Sequence, residues 1–288
     1  MKKYFLIFIL FLIAGVGAVF YRPNVPKVSV VMLTYERGDI VSKAIESILG
    51  QTYKDFEFII INDGSLDNTD KVVKKFVAKD KRIRYYKNPK NMGITYSRNR
   101  AFELARAPYI MIMDDDDYSL DYRMEKQVEF LDANPQIDVV VGQIKGFPRV
   151  SQNHNAIASF LIQHNVVGNA NIMYRSDFAK EHKIFYDEEL KISEDWDYWV
   201  KMLFSGAKFA SIEDDVLVRE PLSVKHHVKD FEEGNKVIRK KIGEYFSPDN
   251  FEKFYDADAC EKVKMIVKKS VFTEDFEEHL LQSNCKQN

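Results

Sequence analysis

A chain of 288 residues can bury one substantial core with at most a small appendage, so its length favours one main domain. Its 42 Lys and Arg nearly balance its 44 Asp and Glu, a formal net charge of −2, which gives no electrostatic case for nucleic acid as a partner. Only Cys260 and Cys285 are present, late in the chain, so neither a disulfide framework nor a cysteine metal site is indicated.

Residues 4–21 carry no charge and follow Lys2 and Lys3. As a helix of about 18 residues this stretch would be about 27 Å long, enough to cross the hydrocarbon core of a bilayer. Residues 1–21 are therefore read as a membrane anchor; a cleaved signal peptide is the alternative, since Val16-Gly17-Ala18 resembles a small-residue cleavage site. Lys2 and Lys3 on one side against Arg22 and Lys27 on the other leave the orientation open. Residues 22–27, with Pro23 and Pro26, form a linker.

The first core strand covers residues 28–33 and ends at Thr34-Tyr35-Glu36-Arg37. A helix follows over 40–49, where apolar residues recur at helical spacing and Gly50 supplies the stop. A strand over 56–61 ends at Asn62-Asp63-Gly64-Ser65. Then come a helix over 68–79, a strand over 83–86 and a helix near 95–105. The run Tyr109-Ile110-Met111-Ile112-Met113 stops abruptly at Asp114-Asp115-Asp116-Asp117 and reads as a strand buried on both faces. Strand and helix alternate in the manner of an α/β fold with a doubly wound, mostly parallel sheet.

Beyond the carboxylates, a helix over 120–131 and a strand over 137–141, ending at Gly142, are expected. Residues 145–163 have mixed character and read as a loop or cover shaping a second binding region. A strand over 171–174, a short helix capped by Ser176, a helix over 195–204 and short strands over 208–212 and 216–218 follow. The tail, residues 229–288, has helical spacing and no chemical motif.

Open α/β sheets bind ligands outside the carboxyl ends of their strands. Thr34-Tyr35-Glu36, Asn62-Asp63-Gly64-Ser65 and Asp114 to Asp117 each follow an apolar strand, so they would converge on one crevice. Asp, Gly and Ser also make turns for local reasons. Four adjacent carboxylates repel unless a cation shares the site, and oxygen ligands suit Mg²⁺ or Mn²⁺. A solvated acidic loop is the plain alternative.

These pieces resemble the family 2 glycosyltransferases, inverting nucleotide-sugar enzymes of the Rossmann-like GT-A fold. The resemblance is carried by residues 30–37, the helix end Ser47-Ile48-Leu49-Gly50-Gln51-Thr52-Tyr53, and Ile59-Ile60-Ile61-Asn62-Asp63-Gly64-Ser65. It continues through Asn91-Met92-Gly93, Ser97-Arg98-Asn99, Met113 to Asp117 and Ser193-Glu194-Asp195-Trp196-Asp197-Tyr198-Trp199, in the family's order, over residues 27–219. It implies a GT-A domain over 28–228 with an acceptor-side region toward its C-terminal end, followed by the helical tail.

The resemblance also implies roles. Thr34, Tyr35 and Glu36 would line the nucleotide, although the family more often has Asn where Glu36 stands. Asp63 would accept a hydrogen bond from the base, commonly uracil, and Arg98 would lie near the nucleotide. Asp114 would face the ribose and Asp116 the metal, a divalent cation, Mn²⁺ or Mg²⁺; four consecutive Asp residues leave Asp115 with Asp117 as the alternative pair. Asp195 stands at the family's catalytic base, though Glu194-Asp195 would also suit the N-terminus of a helix dipole. Trp196 and Trp199 either stack on an acceptor sugar or belong to the core. His226 either adds a metal ligand or is one of a solvated pair with His227. The implied activity is inverting transfer from a nucleotide diphosphate sugar, a UDP-sugar, to a hydroxyl of a glycan or lipid-linked glycan, as in polysaccharide biosynthesis. The implied place is a single-pass protein of a bacterial inner membrane with its catalytic domain cytoplasmic. A metal-dependent nucleotidyltransferase would need a basic, Gly-rich phosphate loop, which Leu33-Thr34-Tyr35-Glu36-Arg37 is not. A non-catalytic nucleotide- or sugar-binding protein of the same fold is the other alternative.

Overall fold

The computed structural model describes residues 25–220, 228–247, 252–253, 257–269 and 277–278. β1 (Val28–Thr34), β2 (Phe56–Asn62) and β4 (Tyr109–Asp114) are apolar runs buried almost throughout, as strands covered on both faces must be. β1 pairs in parallel with both β2 and β4, and β2 with β3 (Ile83–Lys87). Parallel neighbours need crossovers, and α1 (Val41–Leu49), α2 (Thr69–Val77) and α3 (Ile94–Leu104) supply them. Alternate strand residues feed two cores. Val31, Ile59 and Ile112 pack with Ala101 and Phe102 of α3; Val30, Met32, Ile60 and Met111 pack with Ala44, Ile45 and Ile48 of α1 on the other face. Each aliphatic side chain buried this way stabilises the fold by about 1.5–3 kcal/mol.

The second half adds antiparallel strands to a sheet in which four of the seven strand pairs are parallel. After β5 (Tyr118–Ser119) and α4 (Arg123–Ala133) come β6 (Val139–Ile144), β7 (Ile172–Arg175) and β8 (Phe209–Val218). The eight strands run in the order β3-β2-β1-β4-β7-β6-β8-β5. β7 is antiparallel to both β4 and β6, β5 is antiparallel to β8, and β6 is parallel to β8. The sheet is mixed because β7 inserts between β4 and β6 against their direction, and so short an apolar run, Ile172, Met173 and Tyr174, reads the same either way.

Pairing of β4 with β7 ends at Met111↔Met173. The next carbonyls, of Ile112 and Ile172, both accept from Nη2 of the fully buried Arg123, at 3.0 and 3.1 Å. Gln127 receives Arg123 Nε at 3.1 Å and donates to Asn171 O at 2.9 Å. Here the two strands part, and the cleft begins.

Residues 145–163 are not wholly a loop: they contain α5 (His154–Leu161), whose Asn153 cap accepts from the N–H groups of Asn155 and Ala156. Ser176 opens α6 (Ser176–Glu181), but its hydroxyl donates to Ala107 O and caps nothing. β8 is one strand of ten residues, interrupted in pattern by exposed Glu213 and in register by irregularities opposite Gln143. In α7 (Glu194–Phe204) both Trp196 and Trp199 are buried, so they belong to the core; the Trp196 indole donates to Leu161 O at 2.7 Å. α8 (Val228–Phe246) adds Ile238, Ile242 and Phe246 to the same core, and α9 (Ala259–Val267) follows. Cys260 is disulfide-bonded, a crosslink that the late, sparse cysteines did not suggest. The expected anchor over residues 1–21 and His226 lie outside the described residues, and no helix among the described residues is long and apolar enough to cross a membrane.

Candidate active site

Sheet register brings the three polar clusters to one edge. Thr34 stands opposite Asn62, and Leu33 opposite Asp114. The Asp63 N–H donates to Thr34 O at 2.9 Å, and the Glu36 N–H donates to Ser65 Oγ at 2.9 Å. Glu36 takes a left-handed backbone, φ 52°, to make that turn. Tyr35 is exposed and Thr34 buried.

Asp63 is not open to the cleft. Its Oδ1 accepts from Asn88 Nδ2, the Met92 N–H and Ser97 Oγ, and its Oδ2 accepts from the Gly93 N–H, at 2.6 to 3.0 Å. The carboxylate therefore braces the turn that leads into α3.

A cavity of about 1110 Å³ lies beyond the ends of β1 and β4. Asp114 to Asp117, Arg37, Arg98 and Arg219 line one part, Glu194 and Asp195 another, and Phe147, Val150 and Phe160 form an apolar wall. Asp114, Asp116, Arg98 and Asp195 thus meet in one space, whereas Thr34, Tyr35, Glu36 and Asp63 lie beside it. The four carboxylates alternate. The Asp114 and Asp116 side chains keep 35 % and 17 % of their exposure, while Asp117 keeps 2 %. Asp115 is also buried, and its Oδ2 has no hydrogen-bond partner among the described residues.

Burial pushes Asp115 and Asp117 each up to about 7. For Asp115, Thr34 and Arg37 oppose that rise; for Asp117 the neighbouring Asp114 adds to it and Arg219 opposes it. Asp114 is raised too, by desolvation first, with Arg98 pulling it back. Arg37 lies 4.0 Å from Asp115 and 3.7 Å from Asp116, and Arg219 lies 3.9 Å from Asp117. An oxygen-only donor set whose charge burial disfavours, and which neighbouring carboxylates disfavour further, fits a hard divalent cation. No three His, Cys, Asp or Glu side chains converge as a closed cage among the described residues. Ions such as Mg²⁺ take one or two carboxylates and complete their shell with phosphate and water.

Arg98 ties the carboxylates of β4 to those of α7. Buried in α3, its guanidinium pairs with Glu194, lies 3.8 Å from Asp114 and sits 5.2 Å over the Tyr186 ring. With its amide oriented by the network, Asn169 accepts from both terminal nitrogens, at 2.8 and 2.9 Å. Asp195 is pushed up to about 6, by burial first and by the Glu194 charge next, with Arg98 opposing. The Trp196 N–H donates to its Oδ1 at 2.8 Å. Sequence reasoning left out the pairing of Glu194 with Arg98, 96 positions apart, and the cations Arg37 and Arg219. A signal for the last two was present, since each follows the end of an apolar strand.

An α/β sheet whose strand ends gather acidic groups opposite a helix-borne carboxylate is the arrangement that the resemblance to GT-A transferases implies. The sequence pattern described as Glycosyl transferase family 2 matches residues 29–189. A protein of Methanocaldococcus jannaschii described as an uncharacterized glycosyltransferase is 35 % identical over 204 residues, covering 67 % of this chain and 70 % of that one. The putative glycosyltransferase EpsE of Bacillus subtilis is 39 % identical over 116 residues, 40 % of this chain and 42 % of EpsE. Among solved structures, S. aureus TarS 1–349 in complex with UDP-GlcNAc has a TM-score of 0.64 at 21 % identity, covering 89 % of this chain and 71 % of that one. The mannosyltransferase PcManGT of Pyrobaculum calidifontis in complex with GDP-Man and Mn²⁺ has a TM-score of 0.60 at 15 % identity, covering 91 % and 73 %. The chain belongs to glycosyl transferase family 2 and is a glycosyltransferase.

Proposed function

We propose that this protein moves a sugar from a UDP-sugar to a hydroxyl of a glycan or lipid-linked glycan, with inversion at the anomeric carbon. The observation that carries the reading is the single cavity in which Asp195 faces the carboxylates of β4, with Arg98 between them. A carboxylate near 6 is ionised at neutral pH and still basic enough to accept a proton in the transition state. Asp195 would take the acceptor's hydroxyl proton as that oxygen attacks from the face opposite the leaving diphosphate. One displacement inverts the centre, and no covalent enzyme intermediate is needed. The Trp196 N–H fixes one oxygen of Asp195.

Asp116, with Asp114 beside it, would hold the divalent cation, because these two side chains are the more open of the four. The cation supplies charge stabilisation for the departing diphosphate. TarS and PcManGT, seen with UDP-GlcNAc and with GDP-Man and Mn²⁺, support nucleotide-sugar and metal use by likeness of fold. Thr34, Tyr35 and Glu36 would border the nucleotide, with Asp63 shaping its pocket through the 88–97 segment it braces. A tether through residues 1–21, with the catalytic domain on the cytoplasmic face of a bacterial inner membrane, belongs to this reading on the apolar sequence alone.

Asp195→Asn tests it. Transfer should fall by about 10²–10⁴-fold, the usual loss for a general base, while UDP binding with Mn²⁺ is kept. Near-parental transfer removes Asp195 from the role.

A further inference from the structure

The turn that presents Asp195 lines the cleft, but it is held by α8, no described residue of which lines that cleft. Ser193, two residues before it, has φ 60°, a left-handed conformation that a serine keeps only where its surroundings impose it. Its hydroxyl makes no cap for α7; it donates instead to Asn235 Oδ1 of α8 at 3.0 Å. Beside Asn235, Gly234 brings the α8 backbone onto the same turn. A Cβ on Gly234 would stand 2.8 Å from Ser193 Oγ and 3.1 Å from Ile192 O. Farther along α8, Lys241 Nζ bonds Asp187 Oδ2 at 2.6 Å and Asp197 Oδ1 at 3.0 Å, so the helix grips the chain on both sides of residues 192–195. Fully buried Ile238 and Ile242 fix that helix against the core.

Glycine inside a helix lowers helix stability relative to alanine, and nothing in the Gly234 backbone demands it. Close approach to the Ser193 turn is the remaining physical reason for a glycine there. We propose that Gly234 and Asn235 are positioning residues: they set the Ser193 backbone and thereby the direction in which Asp195 meets the acceptor hydroxyl. The proposal rests on Asp195 being the base. A displacement of about 1 Å at a reacting group can cost on the order of 100-fold in rate.

The test uses the full chain with Mn²⁺ and whichever of UDP-GlcNAc, UDP-glucose or UDP-galactose the parent hydrolyses fastest, water serving as acceptor. Gly234→Ala should leave the thermal midpoint within about 5 °C of the parent, because alanine's preference for the helix offsets part of the strain of its contact with Ser193, and should leave UDP affinity unchanged. UDP release should nevertheless drop at least about tenfold, and the acidic limb of its pH profile should move as Asp195 leaves the Trp196 N–H. Asn235→Asp, which keeps the accepting oxygen, should retain most turnover, and Asn235→Leu should not. Parental turnover in both Gly234→Ala and Asn235→Leu overturns the proposal, as does a loss of turnover that merely follows a fall in thermal midpoint. Asp195→Asn in the same assay separates the two levels. If it turns over like the parent, the base assignment fails and this inference with it; if it is inactive while Gly234→Ala and Asn235→Leu are both parental, only the inference fails.

Discussion

Replacing Arg98 by methionine should damage stability and catalysis in distinguishable ways. Arg98 and Glu194 keep only 6 % and 11 % of their side-chain exposure, so Arg98→Met leaves a buried carboxylate with its cation gone. Breaking a buried pair from one side costs about 3–5 kcal/mol, a large share of the 5–15 kcal/mol that holds a typical domain. At about 2–4 °C per kcal/mol for a chain of this size class, the thermal midpoint should fall by about 6–20 °C. The double variant Arg98→Met with Glu194→Met removes both charges and should recover more than half of that loss, since two apolar side chains can replace a buried pair with little penalty. Scanning calorimetry on the parent, both single variants and the double variant closes the cycle. Catalysis supplies the second reading. Arg98 opposes the rise of Asp195 to about 6, so without it the base stays protonated to higher pH, and transfer at pH 6 should fall more than at pH 8. A single-variant cost below about 1 kcal/mol, or a double variant as unstable as the sum of the singles, would refute the argument that Arg98 binds the two halves of the site electrostatically.

Asp116→Asn should abolish the stabilisation that UDP gives in the presence of Mn²⁺ while leaving the unliganded thermal midpoint within about 1 °C, since a cleft-facing carboxylate adds little to the core; a parental response would transfer the role to Asp115 or Asp117. Because Asp115 and Asp117 sit near 7 in the folded chain, above the ordinary 3.8, the folded state holds more protons between those values. Stability without cation should therefore decline as pH rises through that window, and added Mn²⁺ should offset the decline more at pH 8 than at pH 5.5; thermal shift at the two pH values reads it directly. Burial would raise Glu57, but Ser29, the Arg106 N–H and the Arg84 and Arg106 guanidinium groups outweigh it and hold it below its ordinary value. Its stabilising charge is present above the ordinary carboxylate range and lost as pH falls through the lowered value, so Glu57→Gln should cost about 2–3 kcal/mol in urea melts at pH 7 and progressively less as pH falls below the ordinary carboxylate range.

What the sequence made legible was local. β1, β2 and β4 are unbroken apolar runs with abrupt polar ends, and register alone then brings Thr34, Asn62 and Asp114 to a common edge. Direction was not legible in β7, where Ile172, Met173 and Tyr174 would be buried equally well in either sense. The split expected within β8 followed its polar residues Glu213, Asp214 and Asp215, but strand pairing continues through them with Gln143 opposite Asp215. α5 did carry a readable mark, Asn153 ahead of an apolar run, which the mixed composition of its flanks obscured. In the site, Asp114, Asp116 and Asp195 stood out in the sequence because they lie at or beside element ends: Asp114 closes β4, Asp116 is in the turn after it, and Asp195 is in the first turn of α7. Asp63 was legible as a carboxylate at a turn, but its four partners come from residues 88 to 97. The Arg98 pairing with Glu194 was hidden for the same reason: only the folded chain makes those residues neighbours.

Arg123 gives the parting of β4 and β7 a further meaning. A sheet that opens in its middle strands its carbonyl groups, which would draw in water and let the gap widen with every thermal fluctuation. Here one nitrogen, Nη2 of Arg123, answers both lips of the opening, Ile112 O and Ile172 O, so the mouth has a fixed gauge: the spread of two N–H bonds on a single atom. A lysine in its place has no second nitrogen to bond Gln127 as Nε of Arg123 does, so nothing would hold its donor in line with both carbonyls. The floor of the cleft would then loosen, and substrates differing in girth would be told apart less sharply, although no residue touching them had changed.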